Sequence, residues 1–171
     1  MITPEYCVAM ARYNAWQNRQ VKAAFERLSE ATLTKNRKAF FGSLLGTANH
    51  LLWGDLMWMH RLDGGAAPEG GITKSAALCP SAADWAVKRF RADARILLWA
   101  EGLKAVDLTG PLTWYSAVKK VEISKSMGLC VMHLFNHQTH HRGQIHAMLT
   151  QAGADAPVSD LPFMPDDGPW L

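Results

Sequence analysis

Four stretches of this chain, each about twenty residues or longer, set apolar side chains at three- and four-residue steps, the spacing of a single helical face. The first runs from Tyr6 to Leu28, with Tyr6, Met10, Tyr13, Trp16, Val21, Ala24, Phe25 and Leu28 inward. Thr3 and Pro4 supply its cap and first turn. The second starts at Gly42 or Ser43 and ends at Leu62, where Asp63-Gly64-Gly65 stops it; its stripe is Leu44, Leu45, Ala48, Leu51, Leu52, Met59 and Leu62. The third, capped by Ser81, reaches about Leu103 and carries Trp85, Val87, Phe90, Ala94, Leu97, Leu98 and Ala100. The fourth, with Ser126 as cap, ends near Gln151 before Gly153. A helix apolar on one face must bury that face against another element, and four such helices predict an all-α four-helix bundle.

The remaining segments read as connections. Ser29 to Lys38 is polar and basic, a linker, and the Gly-rich stretch between the second and third helices is a mobile loop. Leu112–Tyr115 and Lys120–Ser124 are short and β-prone, which predicts a hairpin between the third and fourth helices. The tail, about 153–171, is rich in Pro and Asp and should wrap irregularly over the bundle within one domain spanning 1–171.

Composition excludes several functions. With 49% apolar and 19% charged residues the chain should fold, and no apolar run approaches the roughly 18–20 residues of a membrane span. The first residues lack the basic-then-apolar pattern of a secretion signal. A net charge of +3, with scattered basic residues, gives no basis for a nucleic-acid partner. Cys7, Cys79 and Cys130 have neither metal-type nor redox spacing and fit buried, reduced thiols in the cytoplasm.

Histidine carries the chemistry. Five of the seven histidines lie within 133–146, in HLFNHQTHHRGQIH. His133, His137 and His141 repeat every four residues, so on a helix they stand in one row, neighbours about 6 Å apart along the axis. Two imidazoles at that spacing can reach one ion, whereas His133 and His141, about 12 Å apart, would be strained together. The pair is therefore His133 with His137 or His137 with His141, and the third ligand must come from another helix. His50, in NHLLWGD on the second helix, is available; facing the core, its imidazole needs an ion or a hydrogen bond.

Three stretches resemble the DinB/YfiT-like family of metal-dependent four-helix-bundle enzymes: Tyr13-Asn14-Ala15-Trp16 followed by Asn18, Gly42–Leu62 with its His followed by Asp, and Asn136–Gln144. The similarity spans about residues 6–153, with the motifs in family order. The resemblance implies a divalent ion held by His50, His137 and His141, with His133 a neighbour. The family's name refers to damage-inducible proteins of this bundle type, not to the DNA polymerase that shares it.

Three neutral imidazoles would leave the ion its full charge and an open position, a catalytic arrangement. Zn²⁺ or Ni²⁺ suits such a site best, and Fe²⁺ or Mn²⁺ is compatible with it. Relatives that the family resemblance brings in include S-transferases and maleylpyruvate isomerase, which use low-molecular-weight thiols. It therefore implies a small-molecule substrate, a thiol partner, and thiol-dependent transfer or metal-assisted hydrolysis, with a homodimer as the assembly. The alternative is a non-catalytic binding or dimeric interaction module whose metal site is plugged by the tail. Asp55 points some 140° from His50 on an ideal helix and reads as a packing group. Asn136, His140, Arg142 and Gln144 either orient the imidazoles or hold helices or a dimer interface together, and Gly143 admits a neighbouring helix. Tyr13, Trp53, Trp58 and Trp114 are pocket walls or plain core; Cys130 is packing rather than nucleophile.

Overall fold

The structure is a computed structural model that describes residues 2–171. Four long helices, α1 (Pro4–Glu26), α3 (Leu44–Asp63), α4 (Ala82–Gly102) and α5 (Met127–Gln151), form the bundle. A short α2 (Glu30–Thr34) lies between the first two, and a hairpin of β1 (Pro111–Ser116) and β2 (Val121–Ser126) precedes α5. Around the bundle the order is α1, α4, α3, α5, so α3 and α5 are direct neighbours. The hairpin is antiparallel, with Trp114 opposite Ile123 and Pro111 opposite Ser126.

Local chemistry explains the helix boundaries. Thr3 Oγ1 accepts the Tyr6 N–H ahead of Pro4, Ser43 Oγ accepts the Gly46 N–H, and Ser81 Oγ accepts the Asp84 N–H. Gly64, at φ 72°, ends α3 in the left-handed conformation that a β-carbon disfavours. Ser126 makes no capping bond: it is the last residue of β2, paired with Pro111, and its strand conformation feeds the chain directly into α5.

The interior is layered along the bundle axis. At one end Val21, Phe25, Leu45, Leu52, Trp85, Ile145 and Leu149 pack together, and at the other Cys7, Ala11, Met59, Ile96, Leu134 and Phe135. Between them lies a buried polar layer to which every long helix contributes. Arg89 donates to Asp55 at 2.6 Å and pairs with Asp93 at 2.8 Å, while Asn18 donates to Asp93 at 2.9 Å. Gln138 donates to Asp55, and Arg142 donates to Asn14 at 2.6 Å and to Gln138 at 2.9 Å. Two carboxylates thus balance two guanidiniums, all four residues buried.

That layer corrects the expected inner face of the third helix. Val87, Phe90 and Leu98 are exposed, and the buried positions are Trp85, Arg89, Ala92, Asp93, Ile96 and Ala100. Trp85 and Ala100 face inward as expected, but apolar spacing misses Arg89 and Asp93, which are charged, pair with each other one turn apart and are completed by Asp55 and Asn18 on other helices. The expected linker also contains structure: α2 is capped by Ser29 and anchors Leu33 in the core. The strands run one or two residues further than expected, and Lys120, at φ 55°, belongs to the turn.

The supposedly mobile loop contains a 3₁₀ turn, Ile72–Ala77, tied to α3 by Asn49, whose side chain donates to the carbonyls of Ala76 and Cys79. The tail is irregular as expected, but it lies on α1. Tyr13 Oη and Gln17 Nε2 donate to the carbonyls of Ser159 and Val158, each at 2.6 Å. Among the described residues no helix is long and apolar enough to cross a membrane.

Candidate metal centre

His50 on α3 and His137 and His141 on α5 converge, their nearest nitrogens all within 4.8 Å of one another. His133, the fourth member of the histidine rows, stays outside; its ring centroid is 5.6 Å from that of His137 and 5.1 Å from that of Trp58. Of the two register choices open on α5, the fold brings together His137 and His141, because α3 meets α5 at the level of His50.

A close approach makes the convergence possible. Gly54, one turn beyond His50, lies under the His137 ring, and a β-carbon there would come within 2.9 Å of Cε1. Only the bare α-carbon lets the imidazole lie against α3 and reach toward His50, whose Nε2 is 3.3 Å from His137 Nε2.

Hydrogen bonds decide which nitrogens are free. Ser75 Oγ donates its proton to the carbonyl of Ile72, so toward His50 it can only accept, and His50 Nδ1 at 2.9 Å must carry the hydrogen. The lone pair of His50 then sits on Nε2, facing His137. His141 Nδ1 likewise faces Gln144 Oε1 at 2.8 Å, which leaves Nε2 as its free acceptor. His137 Nδ1 is buried with no protein partner among the described residues.

All three rings are held neutral. Burial pushes His50 down to about 4, with His141 adding to the effect, and burial followed by the neighbouring histidines pushes His137 to about 3. Burial also lowers His141, partly opposed by its bond to Gln144. Three neutral imidazoles with lone pairs turned toward a common point repel one another unless a cation or a proton lies between them. That donor set fits a divalent ion.

Aromatic rings enclose the His50 side. Phe41 stacks on His50 with centroids 3.7 Å apart and an interplanar angle of 16°, and meets His141 edge-on at 5.4 Å. Trp53 lies near-parallel to His50 with centroids 6.4 Å apart and donates Nε1–H to the carbonyl of Gly70. The side toward His137, His133 and His140 is the more open.

A family model described as the DinB family matches residues 1–168. The chain belongs to the DinB family. It is 25% identical over 167 residues to Protein DinB of Bacillus subtilis (strain 168), covering 90% of this chain and 91% of that relative. A crystal structure of a DinB-like protein from Bacillus cereus ATCC 10987 superposes with a TM-score of 0.62 at 21% identity, over 84% of this chain and 90% of that one, and so shares the fold.

Other expectations for this DinB-family chain divide clearly. Gln144 orients His141, whereas Arg142 and Asp55 belong to the polar layer that holds the helices together. His140 is exposed, 3.4 Å from Gln144 Nε2, and Asn136 is exposed too. Gly143 faces open space and admits no neighbouring helix. Tyr13 and Trp53 are buried, Trp58 and Trp114 half-buried. Cys130 is a buried thiol raised by desolvation, as packing requires, and all three cysteines are free.

Ser75, Phe41, Gly54 and Gln138 escaped the sequence reading. Only Gly54, a glycine inside a helix one turn from a candidate ligand, left a signal there.

Proposed function

We propose that this protein is a metalloenzyme of the DinB family that holds one divalent ion through Nε2 of His50, His137 and His141 and acts on a small molecule. The observation that carries the reading is the pair of imposed tautomers: Ser75 and Gln144 each take a Nδ1 hydrogen and so aim the free nitrogens of His50 and His141 at His137. A histidine that only fills the core also needs a hydrogen bond, but nothing in that role requires the second nitrogens of three histidines from two helices to converge within 4.8 Å. Zinc or nickel is the best match to three imidazoles, with iron or manganese compatible.

A divalent ion so held supplies Lewis acidity, which lowers the pKa of bound water or thiol and polarises a substrate oxygen. The chain's own residues do the rest. The three rings, neutral at pH 7, present lone pairs without a competing proton. Phe41 and Trp53 keep water off His50, and the half-buried His137 side is where a reactant enters. Thiol-dependent transfer and metal-assisted hydrolysis are both within reach of this arrangement.

The alternative, a binding module plugged by its own tail, is disfavoured by where the tail is bonded. Its partners Tyr13 and Gln17 lie on α1, beside Thr139, Gly143 and His146 of α5. At 100° per residue Thr139 and His146 are about half a turn, and Gly143 about a third of a turn, round α5 from His137.

Elemental analysis of the purified protein tests the assignment. One equivalent of metal is expected, lost in His50→Ala, His137→Ala and His141→Ala, and held about tenfold more weakly in Ser75→Ala. A full equivalent retained by His137→Ala and His141→Ala would discard it.

A further inference from the structure

Arg61 is a cation without a counter-ion. Its guanidinium lies 4.6 Å from the ring centroid of Trp58 and 5.1 Å from that of Trp114, two rings that meet edge-on at 5.6 Å. Among the described residues no carboxylate lies within salt-bridge distance of it; the nearby acid Asp63 is already engaged by Arg95. On the α5 side it faces the Cys130 thiol and His133, neither of which is an anion at neutral pH. The half-buried charge therefore has ring faces for company and no oxyanion.

Its position gives that isolation a direction. His50, Gly54, Met57 and Arg61 follow one another at steps of four, three and four residues, so they form a single stripe on α3. On the antiparallel α5 the facing row is His141, His137, His133 and then Cys130. Along the contact between the two helices the three converging imidazoles lie toward one end and the guanidinium toward the other. Arg61 stands about 16 Å beyond His50 along the axis, but helical side chains lean toward the N-terminus, which brings its head back toward the histidines. Ring-to-ring steps of 5.6 Å from His137 to His133 and 5.1 Å from His133 to Trp58 connect the two ends.

We propose that Arg61, framed by Trp58 and Trp114, is the binding site for the carboxylate of the small-molecule substrate, whose reacting end lies at the histidine cluster. A guanidinium offers a planar fork that matches a carboxylate, and the two indoles supply apolar walls for the adjoining carbon skeleton. The inference rests on the proposed metal centre for the reacting end only; the carboxylate site stands on the Arg61 cluster alone.

The experiment is a titration of EDTA-treated, metal-free protein with phenylacetate and with its neutral isostere phenylacetamide, followed by tryptophan fluorescence and calorimetry. Saturable phenylacetate binding in the millimolar range is expected, about tenfold tighter than the amide. Arg61→Gln should lose about tenfold in phenylacetate affinity, and Arg61→Lys, which keeps the charge but not the fork, should fall between. His137→Ala should keep phenylacetate affinity while losing metal, so that failure of the metal centre and failure of the carboxylate site are read separately. No saturable binding, equal affinity for acid and amide, or an Arg61→Gln variant that binds phenylacetate like the wild type would each overturn the proposal. The acid–amide comparison needs no variant and stands even if Arg61→Gln does not fold.

Discussion

The α-carbon of Gly54 and the imidazole of His137 are in such close contact that no β-carbon fits between them without displacing the ring, since it would lie 2.9 Å from Cε1 and 3.3 Å from Nδ1. The contact separates two properties that usually move together, stability and site geometry.

Gly54→Ala should weaken metal binding about tenfold or more, because the His137 ring must swing away from the point where the other two nitrogens aim. Melting of the metal-free protein should change little, since alanine is favoured over glycine in a helix interior by about 1 kcal/mol, which offsets the displaced ring. Competition with a chelating indicator and thermal melts of the apo-protein check both halves. Unchanged metal affinity would place His137 outside the site.

The polar layer predicts the opposite pattern. Asp55→Asn removes one of the two carboxylates that neutralise Arg89 and Arg142, leaving buried positive charge uncompensated, at a cost of about 3 kcal/mol or more. Urea unfolding of the metal-free protein measures this. The test belongs at neutral pH, where the carboxylate is the partner of the Arg89 guanidinium.

Asp63 gives a pH signature at the end of α3. Hydrogen bonds from Arg95, at 2.5 and 2.8 Å, and from the Gly65 N–H hold its pKa below the ordinary carboxylate value. A depressed folded pKa means that the stabilisation is present above the unfolded-state value and is lost as pH falls through the folded one. Asp63→Asn should therefore lower unfolding free energy by about 1 kcal/mol at neutral pH. The gap to wild type should close as acid protonates the native carboxyl, and paired urea titrations at neutral and strongly acidic pH would detect it. A gap independent of pH would assign the effect to packing.

How much of this was legible in advance differs by residue. The caps at Thr3 and Ser81 were readable because a helix N-terminus needs an acceptor within its own first turn. Arg89 and Asp93 were not legible as inward positions, because a charge belongs in a core only if its partners are there, and besides each other these are Asp55 and Asn18, dozens of residues away in sequence. Ser75 was hidden in a Gly-rich stretch that reads as mobile; its role exists only because Asn49 ties that stretch to α3.

The amino-acid sequence by itself determined four amphipathic helices, their order, the hairpin and the row of histidines, since each depends on spacing within one segment. Spacing alone left open which two histidines of that row meet His50, and only the family resemblance pointed to His137 and His141; which nitrogens are left free, and that a lone guanidinium lies on the same helix stripe, were decided only by the tertiary structure. Those outcomes depend on where α3 meets α5 and on contacts between distant residues, and no local periodicity encodes the level at which two helices cross.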